Sequence, residues 1–186
     1  MKQYILPSIK LTLVLLVICS VIYPLMVAAV GKLTPGGGDG ETVKVNGKVV
    51  GYAIAGQKFT DDKYFNTRPS AVDYNAGSAG SNKGPTNPEY LKTVQDRIDI
   101  FLAHNPGIDK KDIPAELVTA SGSGEDPDLS PAAANIQVKR IAAIRHVDES
   151  KLSALVDEHT EAPLLGLFGP SKVNVLKLNI ALDKLK

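Results

Sequence analysis

Between Leu11 and Gly31 the chain carries no charged side chain, and Thr12, Cys19 and Ser20 are brief interruptions in a run of Leu, Val, Ile and Ala. About twenty apolar residues is the length a helix needs to cross ~30 Å of hydrocarbon, so residues 11–31 are expected to span a membrane. Pro24 falls in the second half of the run, where neighbouring helices in a bilayer can re-satisfy a freed carbonyl. A cleaved signal peptide is the rival reading, with a basic start, an apolar stretch and Val27-Ala28-Ala29 as a small-residue cleavage site. The apolar run continues through Val30, past that site, which favours the anchor. Either reading exports the rest of the chain.

Orientation comes from the flanking charges. Lys2, Lys10 and the amino terminus precede the run, whereas Lys32 is soon offset by Asp39 and Glu41. The positive-inside bias therefore places residues 1–10 in the cytoplasm and the rest of the chain outside the inner (plasma) membrane. Residues 32–40, with Pro35, three consecutive glycines and Asp39-Gly40, are expected to be a flexible linker, and residues 41–186 one domain.

Three of the 21 basic residues lie in the first 32 positions; the remaining 18, set against all 20 acidic residues, leave the exported part at −2. That balance offers no basic face to neutralise phosphates, and nucleic-acid binding is set aside. Cys19 is the single cysteine and lies within the apolar run, so the domain can form neither a disulfide nor a thiolate metal site.

The domain reads as α+β. Asn46-Gly47 between Val43, Val45, Val49 and Tyr52 predicts a hairpin, because both turn positions require positive φ. From Phe59 to Pro88 the chain is dense in Gly, Ser, Asn and Pro, and is expected to form a long ordered loop anchored by Tyr64, Phe65, Val72 and Tyr74. A helix is predicted from Pro88-Glu89 to just before Asn105-Pro106-Gly107, with Leu91, Val94, Ile98, Phe101 and Leu102 as a core stripe. Residues 117–120 are expected to form a short strand and Ser121 to Gly124 a flexible turn. Ser130-Pro131 predicts a capped helix running to about Ile144. Another is expected from about Glu149 to His159. Val173 to Leu185 is either a strand beginning at Val173 and Val175 or a helix capped by Asn174; the helix is preferred.

Chemical motifs are sparse. The glycine and serine run at 121–124 lacks the Gly-Lys-Ser/Thr that closes a phosphate loop. His104, His146 and His159 have no metal-ligand spacing. Asp126-Pro127-Asp128-Leu129-Ser130 resembles the start of a calcium loop but has neither its turn glycine nor its final glutamate. Ser81 with Lys83 is too generic to mark a hydrolase. Gln137 sits at the border of an apolar stripe, the place of a satisfied buried amide rather than of a ligand contact.

Ordered blocks carry more information. Gly56-Gln57-Lys58-Phe59, Tyr64 to Ala71, Tyr74-Asn75, Gly80-Ser81-Asn82 and Pro85 to Pro88 come first. Val118 to Gly124, Asp126-Pro127 and Ser130 to Ala133 come next, with Gln137 and Arg140, then Val173 to Leu176, Leu178-Asn179 and Ala181 to Asp183. Across nearly the full chain these blocks resemble the C subunit of the Kdp potassium-transporting ATPase. The chain departs from the family pattern at Ala79, where a second glycine is usual, at Lys83, which replaces an apolar residue, and at Glu125, where Leu is common.

The resemblance implies a non-catalytic, single-span accessory subunit with an uncleaved anchor, in contact with membrane lipid. Its implied partners are a potassium-channel-like subunit and a P-type ATPase pump subunit, which handle the potassium. It also implies a catalytic chaperone that raises the pump's affinity for ATP, with no tightly bound cofactor of its own. The residues that the motifs single out for partner or nucleotide contact are Arg68, Pro69, Ser70, Ser81, Asn82, Asn87, Ser121, Gly122, Ser123, Gly124, Gln137, Arg140, Asn174 and Asn179. Exported orientation argues against direct contact with cytoplasmic ATP. An exported binding domain unrelated to transport is the alternative.

Overall fold

A computed structural model describes residues 2–75 and 77–185. Two compact units divide the chain near Thr42.

The first is a helix that begins well before the charge-free run. It comprises α1 (Lys2–Val17), a π-helical turn (Ile18–Ile22) and α2 (Tyr23–Gly31). Its stretch Gln3–Gly31 is the one helix among the described residues long and apolar enough to cross a membrane. Pro24 accounts for the π turn. Its missing N–H and bulky ring disturb the preceding turn, and the helix widens there, Tyr23 N–H reaching back five residues to the Ile18 carbonyl. Beyond Gly31 the chain leaves the helix through turns, with Gly36, Gly37, Gly38 and Gly40 all at positive φ.

The second unit opens with the hairpin β1 (Thr42–Val45) and β2 (Lys48–Tyr52), with Asn46 and Gly47 at φ of 50° and 79°. The long loop comes next, and then α3 (Pro88–His104), started by the Asn87 side chain, which accepts from Tyr90 N–H. The core stripe expected on α3 is corrected: none of its residues is fully buried, Leu91 is exposed, and contact with the core comes through Phe101. A single 3-10 turn (Ala115–Leu117) replaces the expected strand at 117–120.

β3 (Asp128–Leu129), β4 (Thr160–Glu161) and β5 (Lys172–Asn174) form a small antiparallel sheet in the order β3-β5-β4. Its registers pair Leu129 with Val173 and Thr160 with Val173. Helices surround it: α4 (Pro131–Asn135), α5 (Val138–Arg145), α6 (Glu149–Glu158) and α7 (Val175–Lys184). α6 packs on the other three. Their shared core includes Ile141, Leu152, Val156, Leu178 and Leu182, all nearly or wholly removed from solvent. Each such side chain contributes about 1.5–3 kcal/mol by burial.

Two expectations change here. The helix from Ser130 is interrupted at residues 136–137, with Gln137 N–H bonding back three residues to Ala134 while its side-chain Nε2 takes the Ala133 carbonyl four residues back. Residues 172–185 are both strand and helix: β5 ends at Asn174, whose side chain caps α7 by accepting from Lys177 N–H at 3.0 Å.

Candidate functional site

Residues 62–66 have no strand to pair with, yet Phe65 is wholly buried, so its backbone groups must be satisfied from within. Side chains of α5 and α7, and of Gln137 just before α5, do this. Asn179 accepts from Phe65 N–H at 2.9 Å and donates to its carbonyl at 3.0 Å, as an adjacent strand would. Gln137 treats Asn66 the same way, accepting from its N–H at 2.8 Å and donating to its carbonyl at 3.2 Å. With the donation to Ala133 at 3.0 Å and a bond from Arg140 Nη2 at 2.8 Å, both donors and both acceptor sites of the Gln137 amide are used.

Arg140 extends the clamp, donating to the Tyr64 carbonyl at 3.0 Å and to Asp62 at 3.1 Å from a side chain only 3% exposed. Arg145 finishes it, with bonds to the Lys63 carbonyl and to Asp183, and its guanidinium stacked over the Tyr64 ring. Burial lowers the Arg140 pKa, opposed by the charge and hydrogen bond of Asp62. Burial pushes the Asp62 carboxyl upward, but the His104 hydrogen bond and the charges of His104 and Arg140 outweigh it and hold the group below its ordinary value. His104 Nδ1 lies 2.8 Å from Asp62.

Above this clamp, α3 and the loop enclose a cleft of about 290 Å³ with Ile100, Phe101 and Leu117 as apolar walls and Asp62, Arg97 and His104 at its polar side. Asn105, 3% exposed, lines it; Nδ2 donates to the Phe101 carbonyl, and Oδ1 is buried without a hydrogen-bond partner.

The other motif residues lie in two places. Arg68, Pro69 and Ser70 run beside 121–126: Arg68 pairs with Asp126 at 2.9 Å, Ser121 N–H donates to the Pro69 carbonyl, and the Ser70 hydroxyl accepts from Val72 and Tyr74 N–H. The Tyr74 hydroxyl bonds Thr67 and the Arg68 carbonyl; burial raises its pKa, against the Thr67 hydrogen bond. Ser121 to Gly124 is therefore an ordered turn rather than a flexible one. Ser121 is buried with its hydroxyl accepting from Gly124 N–H, and Gly124 has φ +74°, where a Cβ would lie 2.6 Å from Val72 and 2.7 Å from the Ala79 carbonyl. Gly122 and Ser123 are exposed, with the Ser123 carbonyl held by Ser78. Ser81, Asn82 and Asn87 lie near the start of α3: Ser81 is half-buried, Asn82 exposed at φ 51°, and Asn87 is the cap. Lys83 faces Glu89 at 3.6 Å.

The structure thus brings Gln137, Arg140 and Asn179 to one segment and groups Arg68 to Ser70 with 121–124. Asn174 stands apart, bonding the Ala53 carbonyl at 2.8 Å. Sequence reasoning missed Asp62, Asn66, Asn105 and Arg145. The partners of Asp62, Asn66 and Arg145 lie on elements distant in sequence, and the burial of Asn105, which bonds Phe101 four residues back, is set by tertiary packing.

These features define a small α+β domain, one loop of which is held by a buried amide clamp, in a chain that also carries an apolar helix long enough to cross a membrane. The family model described as "K+-transporting ATPase, c chain" matches residues 5–184. The chain belongs to that family, KdpC, and with it to potassium transport by a P-type ATPase complex.

Curated relatives agree along the whole length. A Flavobacterium johnsoniae protein named "Potassium-transporting ATPase KdpC subunit" is 56% identical, covering 96% of each chain. A Bacteroides fragilis protein of the same name is 55% identical over 98% of this chain and 97% of its own. One from Bacillus cereus is 43% identical over 99% and 97%.

Proposed function

We propose that this chain is the single-span accessory subunit of a high-affinity potassium pump, docked on the outer face of the channel-like subunit near the ion path and stabilising its assembly with the pump subunit. The family match over residues 5–184 carries this reading. Charge bias across the first helix supports a cytoplasmic N-terminus and an external domain in the inner membrane. Continuation of the helix through Ala28 and Ala29 to Gly31 supports an uncleaved anchor.

In this arrangement the turn 121–124 and Gln137 serve the fold, and any rise in the pump's ATP affinity reaches its cytoplasmic site through subunit packing. Both donors and both acceptor sites of the Gln137 amide are already used within the fold, and Ser121 is 2% exposed. Expressing the chain truncated after Gly40 together with the other subunits tests the proposal. Loss of complex or of potassium uptake at low external potassium is expected; unchanged uptake with a normal complex refutes it.

A further inference from the structure

From Ala162 to Ser171 the chain has no charged residue, and it folds back on itself at its tip. Leu164 and Phe168 pair across an antiparallel bridge, with N–H to carbonyl distances of 2.9 and 3.0 Å in the two directions. Leu164, Leu165, Leu167 and Phe168 are nevertheless 63–82% exposed. Single exposed leucines need no explanation, but four large side chains on one ordered tip do.

The backbone adds a second observation. Leu165 has φ 56°, in the left-handed region that Gly or Asn occupies at far lower cost than a bulky side chain. A turn needed only to reverse the chain has no use for Leu there. Strain retained at an exposed apolar tip is the pattern of a residue held out for contact.

The surroundings supply a third. At its base, Pro170 and Ser171 border a groove of about 260 Å³ whose other side carries Arg68, Asp126, Asp128 and Lys172. Glu116 lines it as well, so acids outnumber bases there, and both bases are engaged, Arg68 with Asp126 and Lys172 with Asp128 and Glu161. An apolar centre beside a polar rim is the anatomy of a protein interface.

We infer that the 163–170 hairpin is the docking tip of this domain, and that it inserts Leu165 and Leu167 into an uncharged apolar recess on the extramembrane face of a membrane-embedded subunit of the same ATPase. This deepens the proposed function and rests on it. A lipid surface is the weaker occupant, because Lys172, the basic residue next to the tip in the chain, is engaged by Asp128 and Glu161 rather than free for headgroup phosphates. Four side chains provide less than the ~800 Å² per partner of a stable free-standing interface. They suffice when the anchor helix already confines both proteins to one membrane: residues 32–41 span at most about 35 Å, so the tip acts as the second arm of a bivalent attachment.

The test uses the full chain co-expressed with its partner subunits. A photo-crosslinking amino acid replaces Leu165, with Ala154, exposed on α6, as control position. Crosslinking from 165 to an extramembrane segment of a partner subunit, absent from 154, is expected. In parallel, the L165S/L167S double variant should leave the detergent-solubilised complex about tenfold faster than wild type, as loss of an interface anchor implies, with its own thermal midpoint unchanged. Crosslinks to lipid or to a second copy of this chain, or a double variant retained as long as wild type, overturn the inference. If the truncation after Gly40 destroys the complex while the double variant does not, the inference fails and the proposed function stands; if neither matters, both fail.

Discussion

Gln137→Met separates hydrogen bonding from packing at the centre of the clamp. Methionine nearly conserves volume, so little cavity is left, but Asn66 N–H, Asn66 C=O and Ala133 C=O lose their partner and Arg140 loses one of its bonds. An orphaned buried polar group costs about 1–3 kcal/mol. Asn66 is only half-buried, so the low end applies, and three orphans give a loss of about 3 kcal/mol, a large share of the ~5–15 kcal/mol that stabilises a domain. At roughly 3–4 °C per kcal/mol for a unit of this size, the thermal midpoint should fall by about 10 °C. The assay is near-ultraviolet circular dichroism of the full chain in mild detergent, with hydrogen exchange read at individual amides. Asn66 should lose protection before Phe65, which Asn179 still holds. Gln137→Ala should add only the smaller cost of a void that water can enter. A Gln137→Met protein within about 0.5 kcal/mol of wild type, with Asn66 still protected, would refute the claim that the amide substitutes for a missing strand.

Further predictions concern other parts of the fold. Gly124→Ala should destabilise by about 1–3 kcal/mol because of its positive φ and the 2.6 Å approach to Val72, whereas Gly122→Ala, with open space at its Cβ, should stay within about 0.5 kcal/mol; paired urea titrations compare them. Asn174→Ala should cost about 1–3 kcal/mol, since it removes both the cap of α7 and the bond to the Ala53 carbonyl. Asp62 has a folded pKa below its ordinary 3.8, so its contribution is fully present above that value and is lost as pH falls through the folded one. The stability gap between wild type and Asp62→Asn should therefore narrow as pH falls below 3.8; a gap that keeps widening below that pH would contradict the assigned ion pairs.

Local signals in the sequence were sufficient where the physics is local. Asn46-Gly47 set its hairpin because both positions take positive φ, and Asn87-Pro88 and Ser130-Pro131 set helix starts because each cap acts within three residues. β3 and β4 have two residues each and carry no period, so neither was legible. The interruption at Gln137 arises from bonds to a loop 71 residues away, which no helical periodicity encodes. Within the candidate site, Asn179 was singled out through the motif block Leu178-Asn179 and not through any local physical pattern. Asp62 and Asn105 were not, because burial of the one's partner and of the other's own side chain depends on how α3 and α5 meet the loop.

Co-purification in mild detergent tests the central claim most directly. Full-length chain, tagged and expressed with its partner subunits at low potassium, should bring down a large channel-like protein and a P-type pump subunit in fixed proportion. Recovery of this chain alone, from membranes in which both partners are present and assembled, would contradict its role as an accessory subunit of the transporter.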